Sequence, residues 1–79
     1  MTVQPGGSAP LQVGSTYQVS INPSVSVSYG ISVSDPPIIL VHMLQAQQTF
    51  VCPSSPIKGA TVSFVNMGTV ALDLEEISS

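Results

Sequence analysis

The stretch from Ser24 to Ser34 constrains the fold more than any other part of the chain, because its residues alternate strictly between two kinds. The odd positions are apolar: Val25, Val27, Tyr29, Ile31 and Val33. The even positions are small: Ser24, Ser26, Ser28, Gly30, Ser32 and Ser34. A period of two sorts side chains onto the two faces of a strand, whereas a helix would mix them on every side. The sequence therefore predicts a β-strand with one buried face and one flat face of serine and glycine.

The chain is short and lacks the usual means of stabilising a short chain. It has 79 residues, and a chain of this size buries only about 60% of the surface that its unfolded form exposes. Cys52 is the only cysteine, so no disulfide forms within the chain. One histidine, one cysteine and four scattered carboxylates do not make a zinc site, and we predict no metal and no cofactor. Oligomerisation remains, so we expect other protein subunits as partners, most simply in a homo-oligomer.

Charge is scarce and unevenly placed. Only 6% of the residues are charged, where soluble domains usually carry about 25%. No charged side chain precedes Asp35, so strands formed there lack the charges that prevent edge-to-edge pairing. The net charge of −3, with a single lysine and no arginine, argues against binding to nucleic acid and to anionic membranes.

No targeting or membrane segment is evident. Met1 is not followed by a basic and then an apolar region, so we predict no signal peptide. The longest strongly apolar run, Ile38 to Leu44, has seven residues, where a membrane-spanning helix needs about 20. We expect a protein that is made in the cytoplasm and is not exported by a cleaved signal.

Composition divides the chain into an arm and a domain. Residues 1–10 include Pro5, Gly6 and Gly7 and resist both helix and central strand, so we predict an extended N-terminal arm. Such an arm either frays or becomes ordered on a neighbouring subunit. Residues 11–79 are predicted to form a single all-β domain.

Within that domain the patterns predict about five or six strands. A strand at Thr16–Asn22, after a bend at Gly14–Ser15, forms a hairpin with Ser24–Ser34 or continues into it as one kinked strand. Ile38–Leu44 is a strand buried on both faces or a short buried helix, and Met43–Gln48 would tolerate a helical turn.

The last third of the chain completes the predicted domain. Val62–Leu74 is predicted to be a hairpin in which Asn66 and Gly68 supply a positive φ. The whole fits a small antiparallel β-sandwich or barrel-like sheet.

No residues form a catalytic constellation. The serines lack a Gly-x-Ser-x-Gly elbow and an oriented base, so we predict that the protein is not an enzyme. His42 is interpreted as a core or interface histidine, with a pH switch at a subunit contact as the alternative. Cys52 has no cationic neighbour in the sequence and is interpreted as a buried structural cysteine.

The charged residues have simple interpretations. Asp73, Glu75 and Glu76 are interpreted as a solvated edge rather than a calcium site, because no glycine-containing loop accompanies them. Lys58 is a turn lysine, unless it pairs across an interface with Asp35 or with the C-terminal acids of a neighbour.

Two stretches carry a resemblance to known proteins. With its charge-poor alternating Ser24–Ser34 and its predicted hairpin Val62–Leu74, the chain resembles small all-β structural proteins of bacteriophages, such as capsid and capsid-decoration subunits. Separately, Phe64–Leu74 is similar to the hairpin of many immunoglobulin-like sandwich modules, with an Asn-x-Gly-Thr turn between alternating strands. The first resemblance implies a place in the virion of a protein made in the host cytoplasm.

The leading hypothesis is a structural protein of a virion or a similar assembly, such as a decoration, cement or minor capsid subunit, that functions by packing. The alternatives are a fibre or tail module that binds a glycan or a protein, a strand-donating membrane pore and a self-templating amyloid-like subunit. The predicted contact residues are small or conformationally restricted: Ser24, Ser26, Ser28, Gly30, Ser32, Ser34, Pro5, Gly6 and Gly7.

Overall fold

The computed structural model describes residues 1–21, 26–35, 37–54 and 57–78, which form two four-stranded antiparallel sheets. The strands are β1 (Thr2–Val3), β2 (Ser8–Leu11), β3 (Thr16–Ile21), β4 (Ser26–Val33), β5 (Ile38–Gln45), β6 (Gln47–Val51), β7 (Val62–Asn66) and β8 (Leu72–Ser78). Sheet A has the order β1-β8-β3-β6, and sheet B has the order β2-β7-β4-β5. The predicted all-β class is confirmed, whereas the predicted number of five or six strands is not, because the described residues form eight.

Alternating side chains from both sheets build one core. In β4 the odd positions Val27, Tyr29, Ile31 and Val33 are buried, as the sequence pattern predicts. The rings of Tyr29 and Phe64 in sheet B stack with centroids 5.3 Å apart, and Tyr29 lies 6.0 Å from Phe50 in sheet A. Aromatic contacts of this kind add to the stabilisation that buried area provides, so these rings hold the two sheets together.

Consecutive strands often belong to different sheets. The strands predicted in Val62–Leu74 exist, but β7 pairs with β2 and β4 in sheet B, while β8 pairs with β1 and β3 in sheet A. The predicted hairpin is therefore wrong, and residues 67–71 cross between the sheets. The predicted hairpin of β3 with β4 is also wrong, because β3 lies in sheet A and β4 in sheet B. The connection at residues 22–25 lies outside the described residues.

Asn66 and Gly68 shape the crossing between β7 and β8 without a positive φ, contrary to the prediction. The fully buried Asn66 amide donates hydrogen bonds to the carbonyl oxygens of Val3 (2.9 Å) and Val70 (2.8 Å), and its Oδ1 accepts one from the Gly68 amide (2.9 Å). A Cβ on Gly68 would lie 2.7 Å from Cβ of Val27. The loop therefore depends on a side-chain amide and on close packing rather than on left-handed backbone.

The N-terminal residues are paired with both sheets, so the predicted extended arm is not confirmed. β1 pairs with β8, and β2 pairs with β7 through Pro10 and Leu11. The Met1 amine donates to the Leu74 carbonyl at 2.9 Å, and Val3 and Ala9 are buried. The glycines make this possible, because Gly6 takes a positive φ of 78° in the turn that joins β1 to β2.

β5 forms a strand as one of the predicted alternatives requires, but its predicted burial on both faces is wrong. It lies at the edge of sheet B and pairs only with β4, and of its apolar residues only Leu44 is buried. The helical turn tolerated by Met43–Gln48 does not form. Instead Ala46, with a φ of 79°, turns the chain from β5 in sheet B to β6 in sheet A.

Candidate interaction surface

The outer faces of the two sheets differ in charge. The outward positions of β8 in sheet A carry Asp73 and Glu75, opposite Ser20 and Gln18 of β3. Sheet B has no charged side chain on its outer face among the described residues. Its outward positions are Ser8, Pro10, Ser26, Ser28, Gly30, Ser32, Ile39, Val41, Met43, Ser63 and Val65. An uncharged face of this kind is suited to contact with another protein surface.

The serine and glycine row predicted at an interface lies on this outer face of sheet B. Ser26 is exposed, Ser28 and Ser32 are half-buried, and Gly30 is buried. The Met67 and Ile39 side chains both lie close to Gly30: a Cβ there would lie 3.0 Å from Met67 Sδ and 3.1 Å from Ile39 Cγ2. The small residues of this row therefore form a shallow depression between larger apolar side chains.

The other predicted contact residues lie elsewhere. Ser34 follows β4, and its Oγ accepts a hydrogen bond from the Thr61 amide at 2.9 Å. Pro5, Gly6 and Gly7 form the turn between β1 and β2, where the Gly6 amide donates to the Asn66 carbonyl at 3.0 Å. Ser24 lies outside the described residues. The structure therefore places Ser26, Ser28, Gly30 and Ser32 on one face but does not bring the N-terminal turn to the β5 side of sheet B.

The β5 strand is the most exposed apolar part of the described chain. Five of its large apolar side chains are 44–59% exposed: Ile38, Ile39, Leu40, Val41 and Met43. Direct pairing with β4 assigns them to faces, with Ile39, Val41 and Met43 opposite Ser32, Gly30 and Ser28 on the outer face. Ile38 and Leu40 lie on the inner side opposite Val33 and Ile31. Because β5 is an edge, it presents apolar side chains on both faces together with unpaired backbone groups.

His42 lies in this edge strand and not in the core. It is exposed, and its ring stacks on Tyr29 with centroids 5.4 Å apart. The Tyr29 hydroxyl donates a hydrogen bond to Gln48 Oε1 of β6 at 2.8 Å. Burial raises the pKa of Tyr29, because the phenolate would be poorly solvated there. The core interpretation of His42 is therefore wrong, while a role at an interface stays a prediction.

The remaining candidates show no chemistry of their own. Cys52 is buried, as predicted, and burial raises the pKa of its thiol. Asp73, Glu75 and Glu76 are exposed, and Asp73 accepts a hydrogen bond from Thr2 at 3.2 Å. Lys58 is exposed in the turn before Ala60.

The described residues contain no group of three or more histidine, cysteine, aspartate or glutamate side chains placed to hold a metal ion. A groove of about 430 Å³ on sheet A is lined by Met1, Gln18, Ser20, Asp73, Leu74 and Glu75. Within residues 1–21, 26–35, 37–54 and 57–78 no helix is long and apolar enough to cross a membrane.

Sequence reasoning missed two features of the structure. The apolar run of β5 predicts burial by its composition, and only its position at a sheet edge makes it exposed. Its lack of charge and of proline between Ile38 and Gln45 was the available signal. Asn66 was assigned to a turn, and nothing in the local sequence indicates that its amide bonds to β1, 63 residues away.

Comparison with protein families, with characterised proteins and with solved structures finds no match to this chain.

Proposed function

We propose that this protein is a structural subunit, folded as a small antiparallel β-sandwich, that functions by packing against other protein subunits. The setting that best fits its composition is a virion, where it would serve as a decoration, cement or minor capsid protein. Its partners are other subunits of the same assembly, and its working surface is the uncharged face of sheet B together with the β5 edge.

The observation that carries this proposal is the exposed β5 strand. Strand edges in free monomers are usually protected by charge, proline, bulges or a covering element. β5 is eight residues long, has no charged residue or proline, and pairs with β4 without a register shift. Leaving this edge in water would expose five large apolar side chains and favour nonspecific aggregation. A partner subunit that covers the edge removes this cost.

The aromatic residues favour packing over glycan recognition. Sugar sites usually present aromatic rings to solvent. Here Tyr17, Tyr29 and Phe64 are buried, and Phe50 is half-buried against the core. These are all the aromatic residues of the chain apart from the His42 imidazole. The placement of these aromatic rings therefore gives no support to the alternative of a fibre or tail module that recognises a glycan.

Light scattering of the purified protein across a range of concentrations tests the proposal. We expect a mass of at least twice 8.2 kDa that is insensitive to salt, because the proposed surface carries no charge. A protein that stays at 8.2 kDa at high concentration, and that does not enter any larger particle with which it is co-expressed, would contradict the proposal.

A further inference from the structure

The edges of the two sheets are not equally open to pairing. β1 has two residues, and β2 has four, including Pro10, which has no amide hydrogen to donate. β6 has five residues and begins Gln47–Gln48–Thr49, so it presents mostly polar side chains. β5 alone among these edges combines length, regular register and apolar side chains on both faces. Any partner that pairs with β5 must match an uncharged strand that is apolar on both sides.

We propose that the partner of β5 is β5 of a second copy of this chain. The two strands run antiparallel about a two-fold axis at Val41, so that two four-stranded B sheets become one continuous eight-stranded sheet. This inference rests on the proposed function and names the partner that packs on its principal surface.

The pattern of β5 is complementary to itself. With Val41 opposite its own copy, Ile39 lies opposite Met43, and both are on the outer face. On the inner side, Leu40 lies opposite His42, and Ile38 lies opposite Leu44. No charge is buried, and His42, opposite Leu40, is the one polar side chain in these pairs. Cross-strand apolar pairs of this kind stabilise an antiparallel ladder, which also satisfies the free backbone groups of both edges.

The area available also fits such a contact. The five half-exposed apolar side chains offer roughly 400 Å² on each copy, and His42 and the strand backbone add to this. Because the outward surfaces of Ile39, Val41 and Met43 stay in water when two edges pair, two copies bury at most about 1,000 Å², which is at the lower end of specific protein interfaces. We therefore expect association that reverses on dilution rather than a permanent dimer.

Disulfide formation between two copies tests the register. Residues directly opposite each other in an antiparallel pair have Cβ atoms about 4.5–5.5 Å apart, close to what a disulfide requires. Two variants carry the test, Val41→Cys on β5 and Thr49→Cys at a matched exposed, outward position of β6. The wild-type chain is the control, because its only thiol, Cys52, is 2% exposed. Mild oxidation should give at least ten-fold more covalent dimer for Val41→Cys than for Thr49→Cys.

Each result bears on a different claim when the wild-type mass is measured alongside. If the wild type assembles but Val41→Cys gives no more dimer than Thr49→Cys, self-pairing through β5 is wrong and the structural role stands. If the wild type remains a monomer but enters a larger particle, the partner of β5 is another protein, and self-pairing is again wrong. If the wild type neither assembles nor enters a larger particle, both the self-pairing of β5 and the structural role are wrong.

Discussion

The edge strands β5 and β6 are joined at Ala46, and they differ in the side chains that they expose. β5 precedes Ala46 at the edge of sheet B and exposes five large apolar side chains. β6 follows Ala46 at the edge of sheet A and begins with Gln47, Gln48 and Thr49. Both edges have unpaired backbone groups, so backbone exposure alone does not distinguish them. The comparison teaches that side chains, and not backbone exposure, distinguish the two edges.

The opposite side of the molecule extends the comparison. There β1 and β2 form short edges, and Asn66 holds them in place through the Val3 carbonyl and the backbone of Gly6 and Gly7. Contacts within the chain therefore hold this side, which we call the closed side, whereas nothing in the described chain pairs with the outer edge of β5. Substitutions that weaken the β1–β2 side, or the hydrogen bond that links β4 to β6 beside β5, measure how firmly each side is held.

Replacing Asn66 with alanine should have the largest effect on stability. The change removes the two hydrogen bonds that the Asn66 amide donates to the Val3 and Val70 carbonyls and the one that its Oδ1 accepts from the Gly68 amide, so we expect the free energy of unfolding to fall by about 2–4 kcal/mol. Urea denaturation measures this. The control is Thr2→Ala, which removes the exposed hydrogen bond from β1 to Asp73 and should cost less than about 0.5 kcal/mol. Equal losses for the two variants would contradict the role given to Asn66.

Replacing Gly68 with alanine should have a smaller effect at the same closed side. The new Cβ would lie 2.7 Å from Val27 Cβ, so the loop or β4 must shift, at a cost of about 1–3 kcal/mol. Thermal unfolding followed by circular dichroism measures the loss. Thr69→Ala, at an exposed position of the same loop, should leave the melting temperature nearly unchanged. A neutral Gly68→Ala variant would show that the crossing does not pack as closely as described.

Replacing Tyr29 with phenylalanine should have the smallest effect and should depend on pH. The hydrogen bond to Gln48, which links β4 to β6 beneath His42 of β5, contributes about 1 kcal/mol at neutral pH. Because the pKa of Tyr29 is raised above 10.0 in the folded state, the wild-type stability should be constant with respect to this group below pH 10 and fall above it.

The pH dependence separates the hydroxyl from its partner. Tyr29→Phe should lose this group's part of the decline above pH 10, whereas Gln48→Ala, which keeps the phenol, should retain it. Denaturant titrations at pH 8 and pH 11 compare the two variants. Identical declines in Tyr29→Phe and wild type would show that burial of the phenol does not contribute.

The sequence predicted local structure better than it predicted neighbours. Alternation placed β4 and its buried face correctly, because a period of two has a single structural solution. It failed for β5, where an apolar run indicates burial but carries no information about sheet order. It also failed for Val62–Leu74, because two alternating strands with a short connection fit a hairpin and a crossing between sheets equally well.

The sequence also predicted only part of the candidate surface. The serine and glycine row of β4 was recognised from its small residues, and most of it lies on one outer face. The larger side chains around it were not recognised, because Ile39, Val41, Met43 and Met67 reach this face only through strand pairing and the crossing after β7. Long-range pairing therefore sets the limit of what local pattern reveals.

The most direct test of the account is the solution mass of Val41→Lys beside that of Thr49→Lys, measured by light scattering at the same high concentration. Each variant adds one charge at an exposed, outward position of an edge strand, so neither should unfold the chain. The account predicts that Val41→Lys falls to 8.2 kDa while Thr49→Lys keeps the mass of the wild type. Equal masses for both variants, whether monomeric or assembled, would contradict it.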